Sequence, residues 1–292
     1  MKLVYVGRHF NPILDPTEQH ISYGFRQHGW EVVEIQEDSY QSAPIEADLY
    51  LFNHWDSKEG LNWLKENCKG KKAFWYFDKV WQRTNEREEL TTREKLIKDY
   101  LEVVDYGFIG DGTYVLKYPN PKFRILRQGM GERLMNQGLG TSKGLCNAKI
   151  AFTGSVYGER EQWVQKLKNR YGNDFQAITG FYNRDLFDLC SEVSIILAPT
   201  YFVDDYYWGN RCYLITGSGG FLIHPRCKDL EKEFEDKKEI VFYDWTMDDL
   251  YEKIDYYLEH KEERERIRLA GFERTKRDYN FTKRVGELLS YL

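Results

Sequence analysis

The sequence is poor in the features that mark several large functional classes. Its five cysteines, Cys68, Cys146, Cys190, Cys212 and Cys227, form no CxxC pair, and their number is odd. This argues against a disulfide framework and against a thiolate zinc site, so reduced thiols are expected. No apolar run approaches the roughly 20 residues that a membrane helix needs. The opening MKLVYVGRHF holds too short an apolar stretch for a secretion signal. The chain is therefore read as soluble and cytoplasmic. An excess of positive charge is also lacking: 42 Lys and Arg stand against 47 Asp and Glu, a net charge of −5. Broad electrostatic capture of nucleic acid is not expected from that balance, although a local basic groove is compatible with it. No GxGxxG follows the first apolar run, which argues against a Rossmann dehydrogenase.

Aromatic residues, by contrast, are plentiful: 22 Tyr, 17 Phe and 8 Trp in 292 residues. Such side chains serve a packed core or a surface that stacks on sugars and bases. With 41% hydrophobic and 30% charged residues, the chain is globular and long enough for two domains.

Short apolar runs alternate with amphipathic stretches along the whole length. The first half predicts strands over 2–7, 30–35, 48–53, 72–77, 105–110 and 123–126, and helices over 17–28, 58–68 and 86–103. Thr17 is expected to cap the first helix, Gly29 to close it, and Gly70 to end the second. The second half predicts strands over 148–152, 175–178, 193–197, 221–224 and 239–243. Its helices are predicted over 159–171, 183–190, 210–216, 228–234 and 247–260, and a helical tail, 262–292, breaks near 278–282. Gly129, Gly131, Gly138, Gly140 and Gly144 follow no period and mark a linker. The mixed-charge runs 86–98 and 261–277 read as solvated helix faces.

Alternation of this kind implies parallel sheets with right-handed crossovers. The expected fold is α/β, with two Rossmann-like domains facing a cleft. Residues 1–130 form the first domain, 131–147 the linker and 148–274 the second domain. The terminal helix, about 275–292, is expected to pack back on the first domain. Ligands of open α/β sheets bind beyond the carboxyl ends of the strands, so site candidates are sought there.

The segment 210–225, NRCYLITGSGGFLIHP, concentrates such candidates. A helix start offers backbone N–H groups to a phosphate, Arg211 adds a charged donor, and glycines allow close approach of a ligand. An ordinary helix end and turn accounts for the same glycines equally well.

The chain from about Lys149 to Val285 resembles the group-1-like glycosyltransferases of GT-B architecture. It is most similar to the CgeB-type, spore-maturation-like branch with its short viral or metagenomic members. The residues that carry the resemblance are IAFTG at 150–154 with Arg160, RCYLITGSGGFLI at 211–223 and EFEDKKEIVFY at 233–243. DLYEKI at 249–254, RERIRLAG at 264–271 and YNFTKR at 279–284 extend it. It continues weakly through Val6, Gly7, Gly29 and Gly129. The resemblance implies a nucleoside-diphosphate sugar as co-substrate, a UDP-sugar being favoured, with no cofactor and no bound metal. Carried over, Gly154, Ser155, Arg160, Asn210, Arg211, Tyr213, Gly217, Ser218, Gly219 and Gly220 would hold the donor. Many relatives have Glu three residues after the Arg, where it bonds the ribose; this chain has Leu214, which cannot accept those bonds. Asp204, Asp205 and Tyr213 are the candidates to replace it.

On the acceptor side the candidates follow the first-domain strands: Gly7, His9, His54, Trp55, Tyr76, Asp78, Asp111, Gln128 and Gly129. Asp78 and then His54 are favoured as the base, with Arg211 as the catalytic cation. Lys79 or Arg127 would assist from the first domain. Trp55, Trp75, Tyr76 and Trp81 form either an acceptor platform or a core seam. Asp204 and Asp205 read better as loop residues than as metal ligands. The acceptor itself is left open among a glycan, a small molecule, a protein and a modified base in phage DNA. A sugar-nucleotide epimerase and a non-catalytic nucleotide-binding module are the rival readings.

Overall fold

The computed structural model describes residues 1–10, 16–83, 88–90, 93–156, 158–199 and 204–292. Parts of the first-strand loop, of the charged run 86–98 and of the loop before Asp204 lie outside these residues, as does the Trp81 side chain. The chain forms two compact units. Unit 1 comprises Met1–Gln128 with Phe281–Leu292, and unit 2 comprises Gly129–Asn280.

Unit 1 contains β1 (Lys2–Gly7), α1 (Thr17–Gln27), β2 (Glu31–Gln36), β3 (Glu46–Phe52), α2 (Lys58–Asn67) and β4 (Lys69–Tyr76). β5 (Trp81–Arg83), β6 (Glu88–Leu90), α3 (Arg93–Leu101), β7 (Tyr106–Ile109), α4 (Gly112–Lys117) and β8 (Phe123–Ile125) follow. Six strands make a parallel sheet in the order β2-β1-β3-β4-β7-β8. Alternate side chains of β1 enter opposite cores, because successive residues of a strand face opposite sides. Val4 and Val6 pack with Leu61, Leu64, Ile97 and Tyr100 of α2 and α3. Leu3 and Tyr5 pack with Ile21 and Phe25 of α1 and with Phe281, Val285 and Leu288 of the chain-terminal helix Phe281–Leu289. Burial on both faces explains why these strands read as continuous apolar runs.

Several local expectations change. Pro16, not Thr17, holds the cap position of α1, and Thr17 is already helical. Gly70 does not end α2. It lies inside β4 at φ +129°, and an added Cβ would stand 2.0 Å from the Ala47 carbonyl oxygen. The helix predicted over 86–103 begins only at Arg93, and an antiparallel β5–β6 hairpin precedes it. Dense mixed charge carries no apolar period, so it cannot distinguish hairpin from helix.

Unit 2 contains α5 (Glu132–Met135), β9 (Ile150–Thr153), α6 (Glu159–Tyr171), β10 (Phe175–Ile178), α7 (Asn183–Glu192), β11 (Ile195–Leu197) and α8 (Arg211–Gly217). β12 (Leu222–Pro225), α9 (Leu230–Glu233), β13 (Val241–Tyr243), α10 (Met247–Glu259) and α11 (Lys261–Asp278) complete it. Its sheet is parallel, in the order β10-β9-β11-β12-β13. The stretch expected as a linker belongs to this unit. Met130, Leu134 and Met135 are buried in its core with α7 and α8. Gly140 and Gly217 are packing glycines: a Cβ would stand 2.0 Å from the Phe187 carbonyl oxygen and 2.6 Å from Met130 Cγ, respectively. All five cysteines are free thiols. Among the described residues no helix is long and apolar enough to cross a membrane.

Candidate functional site

In unit 2 the chain leaves β9 toward β10 on one side and reaches β11 on the other. The carboxyl end of β9 is thus the switch point of the sheet, where a crevice opens. Gly154 follows directly, at φ +134°, a conformation that suits glycine and strains other residues. An added Cβ would stand 1.9 Å from Nη1 of Arg211. Arg211 opens α8 and reaches back across the strand end, donating from Nη1 to the Thr153 carbonyl at 2.8 Å. Its guanidinium carbon lies 5.5 Å from the centre of the Phe152 ring. From α6, Arg160 donates to the Ser155 carbonyl at 3.2 Å. Two cations therefore meet on a bare backbone turn. Beside them a cavity of about 130 Å3 is lined by Thr153, Gly154, Ser155, Thr179, Tyr182, Arg211 and Leu214. Asn210 lies next to Arg211 with a buried side-chain oxygen that has no hydrogen-bond partner.

His224, at the end of β12, is a group the sequence reading missed. It is fully buried, and its Nδ1 lies 2.7 Å from the Pro225 carbonyl oxygen. A contact to a carbonyl requires the proton on that nitrogen. Burial lowers the imidazole pKa to about 4, against the Pro225 bond and with help from the Arg211 charge. The ring is neutral at pH 7, and an N–H motif inside an apolar strand gave no signal of this.

The remaining donor-side expectations divide. Gly217, Ser218, Gly219 and Gly220 lie at the far end of α8, before β12, so they face the amino edge of the sheet and do not line the cavity at Gly154. A helix between parallel strands runs back across the sheet, which separates its two ends. Tyr213 points into the core. Its hydroxyl donates to Glu233 and accepts from Trp208 Nε1 at 3.1 Å. Asp204 accepts the Tyr206 amide at 2.9 Å, and Asp205 pairs with Lys228 at 2.7 Å. None of the three lines the cavity, whereas Leu214 does. Thr179 and Tyr182 are the polar side chains found there instead.

In unit 1 the switch point lies between β1 and β3. Tyr5 donates its hydroxyl to Asn53 Oδ1 at 3.0 Å, and Asn53 donates to Glu18 at 3.3 Å. Gly7 admits this cluster: a Cβ would stand 2.9 Å from Glu18 Cγ. His9 is 2% exposed, with Nε2 at 2.9 Å from the Tyr5 carbonyl oxygen and no partner for Nδ1. Burial raises the Glu18 carboxyl pKa and lowers that of His9. A carboxyl and an imidazole pushed in these directions are both inclined to be neutral.

The favoured base candidates do meet. Nδ1 of His54 lies 3.8 Å from Asp78 Oδ2, which Arg93 approaches at 2.9 Å. His54 Nε2 accepts the Phe77 amide at 3.2 Å, which leaves the proton on Nδ1, toward Asp78. His54 sits at φ +48°, stacked on Tyr76 at 4.4 Å, and burial lowers its pKa. One nitrogen of His54 is thus committed to the backbone, and the other faces Asp78. Asp78 is 44% exposed at its side chain. Asp111 is fully buried and caps α4, accepting the Tyr114 amide at 3.0 Å and the Val80 amide at 2.8 Å. It is a structural residue. Trp55, Trp75 and Tyr76 are buried, with Trp55 and Trp75 donating to the Glu37 and Leu126 carbonyls, so these three form a core seam. Lys79 and Arg127 are buried in unit 1, and Arg127 donates to the Gly110 carbonyl. Gln128 accepts Arg284 Nε at 3.0 Å, and Gly129 is buried at the start of unit 2.

Residues 141–290 match the family described as glycosyl transferase-like. No curated protein matches the chain in sequence. Among solved structures, sucrose-phosphate synthase from Thermosynechococcus elongatus superposes with TM-score 0.71 at 11% identity, over 99% of this chain and 98% of its own. HepE of Anabaena, in complex with UDP and glucose, gives 0.64 at 11% identity over the whole of both chains. An alpha-glucosyltransferase in complex with UDP-glucose and DNA containing an abasic site gives 0.68 at 11% identity, over 99% and 98%. At these identities the likeness is one of fold, and the fold is GT-B. The match over 141–290 covers half of the chain, which therefore belongs to the glycosyl transferase-like family and is a glycosyltransferase.

Proposed function

We propose that unit 2 holds a nucleoside-diphosphate sugar, a UDP-sugar being favoured, and that unit 1 recognises a hydroxyl acceptor. The observation that carries this reading is the Arg211 guanidinium, 2.8 Å from the Thr153 carbonyl oxygen, beside a glycine turn at the sheet's switch point. A diphosphate there meets two cations and exposed backbone, and both stabilise the charge that grows on the leaving group. Arg211 and Arg160 thus do the neutralising in place of a metal ion. Thr179 and Tyr182 take the polar contacts that Leu214 cannot make, and the exposed Tyr182 ring serves the nucleobase. Asp78, oriented by Arg93 and His54, is the carboxylate offered to the acceptor hydroxyl. Placement in the CgeB-type branch, with its short viral or metagenomic members, belongs to the same proposal.

Calorimetry with UDP, GDP, ADP and TDP tests the donor assignment. One nucleotide is expected to bind, and Arg211→Ala to weaken it about 30- to 150-fold, the range of a charge-assisted bond of roughly 2–3 kcal/mol. Silence toward all four nucleotides would sink the proposal. A product assay separates the rivals. An epimerase turns over a UDP-sugar without acceptor, and a binding module neither transfers sugar nor hydrolyses donor.

A modified base in DNA is a second acceptor reading, favoured by the structural neighbour that is in complex with DNA. It requires binding that weakens steeply with salt. The net charge of −5 leans the other way.

A further inference from the structure

Unit 2 carries a second and larger cavity, of about 580 Å3, lined by Lys149, Val193 and Ser218. Those residues precede β9, β11 and β12, so the cavity opens at the amino edge of the sheet, opposite the Gly154 turn. Its volume suits a metabolite-sized ligand. The Gly217–Gly220 run, which does not serve the first cavity, contributes Ser218 and Gly219 to its wall.

The wall holds a buried cation with an unsatisfied donor. Arg264 is 6% exposed. Its Nη1 donates to the Tyr257 and Leu258 carbonyls in the last turn of α10, but Nε has no partner. No carboxylate pairs with it among the described residues. The Ser218 hydroxyl, also buried in this wall, has no partner either. Of the three acidic groups in the lining, Glu192, Glu259 and Glu265, two are already engaged. Glu265 accepts Arg268 Nε at 2.9 Å, and Glu192 accepts the Cys146 amide at 2.8 Å. The neighbouring carboxylate, Glu265, is shared with Arg268, so the desolvated guanidinium with its free Nε gains from an anion that meets it. Apolar lining from Leu139 and Leu258 would cover an uncharged body.

We propose that this cavity is a second ligand site, for a small organic anion that bears a phosphate or a carboxylate on a compact body. It is separate from the donor cavity. The anionic group meets Arg264 and Ser218, with Lys261 at the rim.

The test is calorimetry on the full chain with phenyl phosphate, benzoate and uncharged benzyl alcohol. At least one charged probe is expected to bind tenfold or more tighter than benzyl alcohol, and which one binds identifies the head group. Arg211→Ala is expected to leave that affinity unchanged. Arg264→Met should lower it at least tenfold and Lys261→Glu severalfold. If Arg264→Met does not fold, the exposed Lys261→Glu decides. Charged probes that bind no better than benzyl alcohol overturn the proposal. So does binding that survives Lys261→Glu but is lost in Arg211→Ala, since it then belongs to the donor cavity.

Discussion

Gly154 and Arg211 interlock at the scale of single atoms. Replacing Gly154 by Ala imposes φ +134° on a residue with a Cβ and places that Cβ 1.9 Å from the guanidinium. Strain of this kind costs about 1–3 kcal/mol. Urea unfolding of Gly154→Ala should show a loss of that size, and nucleotide binding should fall with it. The double variant Gly154→Ala/Arg211→Ala removes the collision but keeps the strained backbone, so it should recover only part of the stability. His224 gives a pH dependence. Its pKa falls from 6.5 in the unfolded chain to about 4 in the folded one, so the unfolded chain binds the proton more readily between those values. The stability from the neutral ring is therefore complete above pH 6.5 and is lost as pH falls toward 4. Between pH 7 and pH 5 the loss is about 2 kcal/mol from this group. A His224→Phe variant that loses as much stability as the wild type over that interval would remove the assignment.

Elements decide which residues can meet. α8 starts at the Gly154 cavity with Arg211 and ends at the opposite edge of the sheet with the glycine run, so one seven-residue helix divides a motif that looks continuous in sequence. The chain-terminal helix shows the reverse. It is remote in sequence from α1, yet it packs against it, with Gly24 so close that a Cβ would stand 3.0 Å from Val285 Cγ2. Phe281→Ala should destabilise unit 1 by about 3–5 kcal/mol, as buried aromatic truncations do. Hydrogen exchange should show the loss first in α1. The alternation of strands and helices was legible because both faces of the parallel sheets are covered, so their central strands are apolar runs. The β5–β6 hairpin was not legible, because its short strands lie in charged sequence with no apolar period. The short helix α5 was hidden by the glycines around it, of which Gly140 serves close packing while Gly138 and Gly144 take positive φ in open space.

For the molecule as a whole, nucleotide binding and chemistry are expected to be separable by unit. A ligand at one hundred times its Kd stabilises the folded state by about 2.7 kcal/mol. UDP should raise the unfolding midpoint accordingly, with added hydrogen-exchange protection at the ends of β9 and β10 in unit 2. Asp78→Asn should retain that shift while sugar transfer falls at least a hundredfold. Unchanged transfer would remove Asp78 from the chemistry.

The sequence by itself determined the fold class and the alternation of elements, and it singled out Gly154 and Arg211 as candidates. These follow from local periodicity and from residue types with distinctive backbone or charge properties. Only the tertiary structure decided that the Tyr213 hydroxyl and the Asp111 carboxylate are engaged by partners within their own units, that Ser218 and Gly219 line another cavity, and that His224 is a buried titratable group. Burial and hydrogen-bond partners arise from contacts between residues far apart in the chain, and no local pattern encodes them.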